Sequence, residues 1–174
     1  MSTAAAWHLV RRFAGSLRPG GPSRRDREWV ARTLGEAEYA LWRRLSGPDR
    51  RHSVAVARGV VARLGEQADR PVVAAALLHD VGKLDAGLRT PGRVIATLSG
   101  LVAGRDTARL WSEGRGFTRR VGLYLRHPEL GGDRLEMIGS HPLVVAWARE
   151  HHLPPERWSV DPEIGAVLAA VDDD

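Results

Sequence analysis

The feature that most constrains the fold is an uninterrupted apolar stretch, residues 72–78 (VVAAALL), followed at once by His79 and Asp80. Asp69 precedes the stretch in the position of a helix N-cap. A helix that is apolar on every side has no face to present to water, so this segment predicts a buried central helix. We expect His79 and Asp80 at its C-terminal end, where Gly82 can break the helix and let both side chains face a cleft.

The rest of the chain shows the same helical periodicity. Its apolar residues are mostly Ala, Val and Leu, with only two Phe and two Tyr, a mixture that suits packed helices better than sheets. The sequence therefore predicts an all-α helical bundle, with a domain at residues 49–174 and a basic helical extension at residues 1–48 packed on it. Further helices are expected at residues 1–13, 23–45 (capped by Ser23), 49–64 (capped by Asp49), 93–102, 118–126, 128–138, 142–150 and 162–171, with a Gly- and Pro-rich linker at residues 15–22 and a Gly- and Arg-rich connection containing Trp111.

Charge is distributed unevenly along the chain. The net charge is +5, and residues 1–63 carry 13 arginines against 5 acidic residues. Such a region can attract nucleic acid, nucleotides or anionic lipid, but a solvated arginine-rich surface explains it more simply, so a nucleic acid partner is not favoured. No stretch is apolar over the length of a membrane span and no secretion signal is recognisable, which predicts a cytoplasmic protein with no membrane partner.

The chemistry of any metal site is restricted by the absence of cysteine, which leaves imidazole and carboxylate as ligands. Such ligands suit iron, manganese, zinc or cobalt, and a shared carboxylate can bridge two ions. Lys83 is the only lysine among 26 basic residues, and it follows the His-Asp pair by three positions. The candidate ligands are His52, His79, Asp80, His127, His151, His152 and Asp172.

These residues stand in an order that resembles a known family. HSVAVAR from His52, AAALLHDVGK ending at Lys83, HPELG from His127, the pair His151-His152, and AAVD ending at Asp172 are similar to the HD-domain metal-dependent phosphohydrolases. The resemblance covers about residues 50–174. It implies an all-helical fold in which one metal is bound by His52, His79, Asp80 and Asp172, while Asp80 bridges to a second metal held by His127 and by His151 or His152.

The resemblance also implies a reaction and a substrate class. In family members of the HD-GYP type, the lysine at the position of Lys83 contacts substrate phosphate. The segment after His152 lacks the Asp-Gly-x-Gly-Tyr-Pro motif, so specificity for cyclic di-guanylate is not supported. The HDIG group, which includes bacterial diadenosine tetraphosphate hydrolases, is the better comparison. We therefore expect a hydrolase that uses two divalent transition metals, iron or manganese, on a phosphoester or phosphoanhydride of a nucleotide-like small molecule. Asp80 and Lys83 are the expected catalytic residues, with Lys83 and Arg126 binding the substrate.

Two other functions remain open at this stage. Diiron HD proteins that oxidise small polyols or phosphonates share the same ligand order, and a non-catalytic metal or nucleotide sensor would need the same residues. Lys83 has a structural alternative as well, since a cation at the end of the central helix can cap its carbonyls. His8 is expected to be structural, and His141 to cap a helix or face solvent.

Overall fold

The structure is a computed structural model that describes residues 20–88, 90–100 and 105–173. The described residues form helices and contain no strand, which confirms the predicted all-α fold. The α-helices are α1 (Arg24–Thr33), α2 (Glu36–Arg44), α3 (Gly47–Leu64), α4 (Arg70–Leu78), α5 (Lys83–Ala86), α6 (Thr90–Gly100), α7 (Arg105–Glu113), α8 (Gly116–Leu125), α9 (His127–Met137), α10 (Pro142–Glu150) and α11 (Pro162–Asp173), with short 3₁₀ turns at Gly65–Gln67 and Pro155–Arg157.

Helix α4 is the predicted central helix. Asp69 caps it, since the Asp69 carboxylate accepts a hydrogen bond of 3.0 Å from the Val72 N–H. Every residue from Val72 to Leu78 is buried. Helices α3 and α10 pack against α4, and α11 packs against α3. The ends of these helices therefore lie close to the residues that follow α4.

Helices α1 and α2 contribute to the same hydrophobic core. Val30 and Trp42 are fully buried within the cluster that contains α4, and the Trp42 Nε1–H donates to the Ser53 hydroxyl at 2.9 Å. A second, smaller cluster forms where α8 packs against α5, α6 and α7. This second cluster supports the segment between His79 and His127.

Several predicted boundaries were wrong. The helix expected at residues 23–45 is two helices, because Gly35 starts a new one and its N–H donates to the Glu38 carboxylate at 2.9 Å. Helix α3 is capped by Ser46 rather than by Asp49, since the Ser46 hydroxyl accepts from the Asp49 N–H at 3.3 Å. Trp111 lies within α7 and not in a connection.

Some predictions concern residues outside the described ranges. These are the helix at residues 1–13, most of the linker at residues 15–22, and the structural role of His8. Among residues 20–88, 90–100 and 105–173, no helix combines the length and the apolar composition that a membrane crossing requires.

Candidate metal centre

The predicted ligands come from helix ends that meet at one point. His52 lies near the start of α3, and His79 and Asp80 directly follow α4. His127 begins α9, His151 and His152 directly follow α10, and Asp172 is in the last turn of α11.

One group of ligand atoms forms on the α3 side. A ligand atom from each of His52, His79 and Asp80 lies within 4.8 Å of the others. The Asp172 Oδ1 is 2.8 Å from the His52 Nε2 and 3.6 Å from the His79 Nε2. Helix α11 can bring Asp172 this close because Gly59 of α3 has no side chain, since a Cβ there would lie 2.5 Å from the Val171 Cγ1.

A second group forms on the α9 side. Ligand atoms of His127, His151 and His152 also lie within 4.8 Å of one another. Helix α10 ends at Glu150, and the rings of His151 and His152, which follow it, lie side by side with centroids 4.1 Å apart. Both rings face His127, with centroids 5.5 Å and 5.2 Å from its ring, although adjacent residues in a continuous helix would point about 100° apart. His151 is buried and His152 is exposed.

Asp80 lies between the two groups. Its side chain is buried, and each carboxylate oxygen faces a different group. The Oδ2 atom is 3.4 Å from the His79 Nε2, whereas the Oδ1 atom is 3.3 Å from the His127 Nε2 and 3.9 Å from the His151 Nε2. One carboxylate can therefore serve both groups.

Backbone carbonyls orient three of the imidazoles. The Nδ1–H of His79 donates to the Ala76 carbonyl at 2.9 Å, that of His127 to the Tyr124 carbonyl at 2.7 Å, and that of His151 to the Ala148 carbonyl at 3.1 Å. When the ring is neutral, each bond fixes the tautomer in which Nε2 carries the lone pair, as is usual for metal-bound histidine.

The opposite ring nitrogens provide the test of whether a metal fits. The Nε2 atoms of His79, His127 and His151 are buried and form no well-aligned hydrogen bond within the described part of the chain, although Asp80 oxygens lie 3.4 Å and 3.3 Å from those of His79 and His127. A buried polar atom without a partner costs free energy, and a bound cation would satisfy all three. Imidazole nitrogens with carboxylate oxygens are a donor set for transition metals, so the residues present could hold metal ions.

Burial and charge act against each other on the pKa values of the α3-side group. Burial favours the neutral form of His79, but the carboxylates of Asp80 and Asp172 prevail and raise its pKa to about 9. Burial likewise raises the pKa of Asp80, yet the Lys83 ammonium and then His79 hold it well below its usual range. This group is therefore a charge-balanced cluster when no metal is bound.

On the α9 side, burial outweighs the attraction of the carboxylates and the pKa values of the imidazoles are lowered. Burial lowers the pKa of His127 and, more strongly, that of His151, where the neighbouring imidazoles add to the effect. Although His152 is exposed as a residue, partial desolvation of its ring, followed by the charge of His127, lowers its pKa to about 4. These three imidazoles are neutral at pH 7 and can bind a cation without first releasing a proton.

These shifts predict how the stability of the metal-free protein depends on pH. Protonated His79 stabilises the fold below its ordinary pKa of 6.5, and this contribution is lost as pH rises through about 9. The lowered pKa values of His127, His151 and His152 have the opposite sign, since their contribution is present above 6.5 and lost as pH falls toward 4. We expect the melting temperature of chelator-treated protein to be highest near pH 6.5 and to fall on both sides.

Differential scanning calorimetry between pH 4 and pH 9 measures this dependence. His79→Gln removes the group that titrates on the alkaline side, so its melting temperature should be nearly constant between pH 7 and pH 9. A wild-type curve that is equally flat over that range would contradict the charge assignment of His79.

Lys83 lies against the ligand cluster. Its ammonium forms an ion pair with the Asp80 Oδ2, and its side chain is 13% exposed. The Nζ atom is also 5.9 Å from the centre of the Tyr124 ring. The Lys83 ammonium therefore contacts a side-chain carboxylate. The alternative, in which Lys83 caps α4, requires a contact with a backbone carbonyl at the end of that helix.

Arg126 and His141 occupy other positions. Arg126 immediately precedes His127, and its guanidinium donates to the Glu129 carboxylate at 3.1 Å and to the Ser112 hydroxyl at 2.9 Å. Its side chain is 28% exposed, which leaves part of the guanidinium open to solvent. His141 is the N-cap of α10, where its Nδ1 accepts from the Leu143 N–H at 3.2 Å.

Two residues beside the centre were not identified from the sequence. Asp49 is buried, and its negative charge, after the effects of Asp80 and Tyr124, helps to raise the pKa of Lys83 against the effect of burial. Tyr124 supplies the carbonyl that orients His127, and its ring lies 5.7 Å from the His127 ring. Asp49 stands three residues before His52 in α3, a spacing that places both on one helical face and could have indicated it. Tyr124 belongs to α8 and His127 to α9, so helical spacing does not indicate Tyr124.

Gly82 has a different role from the one predicted. Its φ is −65°, which is an ordinary helical value, so it does not end α4 through a left-handed conformation. A Cβ at Gly82 would instead lie 2.0 Å from the His127 carbonyl oxygen and 2.6 Å from the Gly131 N. The glycine is therefore required for the close approach of α9.

No family model, curated protein or solved structure matches the chain, so the centre is interpreted from its own residues.

Proposed function

We propose that the protein is a metal-dependent phosphohydrolase that cleaves a phosphoester or phosphoanhydride bond in a nucleotide-like substrate. The observation that carries this proposal is the position of Asp80, whose two oxygens face separate groups of imidazoles with buried Nε2 atoms that form no well-aligned hydrogen bond. The sequence resemblance to HD-domain phosphohydrolases supports the same reaction.

Two divalent ions would be held by overlapping ligand sets. His52, His79 and Asp172 would hold one ion, and Asp80 would link it to a second ion on the α9 side. When bound, such ions lower the pKa of water and polarise a phosphoryl oxygen. Because the ligand set combines carboxylate oxygens with imidazole nitrogens, iron and manganese suit the centre. The second ion would be held by Asp80, His127, His151 and His152.

The side chains around the ions would bind and orient the phosphate group. Lys83 uses one of its three N–H donors on Asp80, so the others are available to an anionic substrate. A cation in a largely buried position stabilises charge on a phosphoryl group more strongly than one in water. Arg126 retains N–H donors beyond those used by Glu129 and Ser112 and lies next to His127 in the chain.

Metal content and hydrolysis test the proposal together. Protein purified without chelators should contain two transition metal ions per chain by elemental analysis, or take up two Mn²⁺ ions by titration calorimetry. We expect phosphate or p-nitrophenol release from a panel of nucleotides, dinucleoside polyphosphates and p-nitrophenyl phosphodiesters. Chelation should abolish this release, and added Mn²⁺ or Fe²⁺ should restore it.

Three results would contradict the proposal. The metal centre would be wrong if the protein neither contained metal nor took up manganese or iron. Oxygen consumption by the iron-loaded protein, without phosphate release, would assign it to the oxygenases instead. Binding of two ions and of nucleotides without turnover across several metals would indicate a sensor.

A further inference from the structure

The two halves of the metal centre are joined by a short interface. Asp80 and Lys83 belong to the segment that follows α4 and enters α5, whereas His127 begins α9. Helices α5 and α9 are in contact, and at that contact the backbones of Gly82 and Gly131 approach each other closely. The position of α5 relative to α9 therefore determines how far Asp80 lies from His127.

An ion pair spans this interface beyond the glycines. The Arg134 Nε donates to the Asp85 Oδ2 at 2.8 Å, and the Arg134 Nη2 donates to the Asp85 Oδ1. This is the two-point geometry in which arginine holds a carboxylate in a fixed orientation. The side chains are 32% and 21% exposed respectively, so the pair is partly shielded from water.

Both partners are connected to the ligands by short, ordered segments. Asp85 follows Asp80 by five residues and lies in α5, which has four residues and is too short to hold its position without tertiary contacts. Arg134 follows His127 by seven residues, two turns along the same face of α9. A shift at the ion pair would therefore move the Asp80 Oδ1 relative to the His127 Nε2, which are 3.3 Å apart.

We propose that Asp85 and Arg134 are positioning residues that set the separation between the two halves of the metal centre. The inference rests on the proposed function, because it takes Asp80 as the carboxylate shared by two ions. Among the residues that the structure describes, Asp85 and Arg134 form their ion pair with each other and not with a ligand side chain, so both act through the backbone of α5 and α9.

Arg134→Gln tests this inference through metal binding. The variant keeps most of the side-chain volume but loses the two-point contact. Loss of groups that hold metal ligands in place typically weakens binding by 10-fold to 100-fold. We expect Mn²⁺ titration calorimetry to show one ion bound about as tightly as in wild type and a second bound about 10-fold to 100-fold more weakly. The electron paramagnetic resonance spectrum of the two-manganese form should also change, since the coupling between the ions depends on their separation.

Three further variants separate positioning from general stabilisation. Arg58→Gln removes a more exposed ion pair, between Arg58 and Asp26, together with the contact of Arg58 with the Trp29 ring, away from the interface of α5 and α9, and should leave Mn²⁺ binding unchanged. Arg134→Lys keeps the charge and should recover part of the affinity. Asp85→Asn combined with Arg134→Gln should weaken the second ion no more than the worse single variant, because both changes break one contact.

The outcomes distinguish this inference from the proposed function. If wild type binds two Mn²⁺ ions and Arg134→Gln binds both with wild-type affinity and an unchanged spectrum, the positioning role is wrong while the metal centre stands. A wild-type chain that takes up fewer than two ions would overturn the shared-carboxylate centre, and the positioning role with it.

Discussion

Replacing Asp80 by alanine should remove both metal ions and all measurable hydrolysis. Its carboxylate faces His79 with one oxygen and His127 with the other, so the change takes a ligand from each half of the centre. It also leaves Lys83 and His79 without their nearest buried counter-charge, and breaking a buried pair in this way costs about 3–5 kcal/mol. Elemental analysis and Mn²⁺ titration calorimetry measure the loss of metal, a hydrolysis assay measures the loss of activity, and thermal unfolding measures the loss of stability.

Asp133→Ala is the matched control. Asp133 is a carboxylate on α9 that pairs with Arg149, and its side chain is 63% exposed. This variant should keep both ions and wild-type turnover. Retention of two tightly bound ions by a folded Asp80→Ala protein would show that Asp80 is not shared between them.

Replacing Lys83 by alanine should keep both ions while reducing turnover or substrate binding by about 10²-fold to 10³-fold, the usual effect of losing one preorganised electrostatic donor. The expected loss is large because the ammonium is largely buried beside Asp80, where little water screens its charge. Lys83→Arg should restore only part of the activity, since a planar guanidinium does not replace a compact ammonium in a confined site. Steady-state kinetics and metal analysis on the same preparations are the required measurements.

A purely structural Lys83 would give a different pattern. If its only task were to neutralise Asp80, Lys83→Ala would lower the melting temperature and leave hydrolysis per folded, metal-loaded molecule intact. That result would remove the phosphate contact from the proposed mechanism. Calorimetry beside the kinetic assay distinguishes the two cases.

The main elements of the fold could be predicted from the sequence because their determinants are local. The apolar run of α4 and its cap at Asp69 lie within ten residues, and the structure shows both as expected. The break between α1 and α2 was missed because Gly35 interrupts a periodic apolar pattern that continues on both sides. The candidate ligands were selected by residue type and order, and the structure brings all seven of these side chains together.

The contacts that support the ligands could not be predicted in the same way. Asp85 and Arg134 are 49 positions apart, and nothing in the residues near either one indicates the other. Gly82 was recognised as important, but its reason, the approach of the α9 backbone, depends on a tertiary contact. Arg126 was selected for its charge and its place beside His127, whereas its actual partners come from α7 and α9.

The hydrogen bonds from His79, His127 and His151 to backbone carbonyls also supply donors to carbonyl groups at helix ends. Their acceptors lie in the last turns of α4, α8 and α10, where carbonyl groups have no partner within the helix. Three helices of nine or ten residues thus direct their negative C-terminal poles toward the same point. The backbone itself therefore creates an attractive potential for cations there, and this potential would persist after any single ligand is substituted. If the centre binds ions as proposed, we expect the location of binding to be more tolerant of sequence change than the identity of the ion.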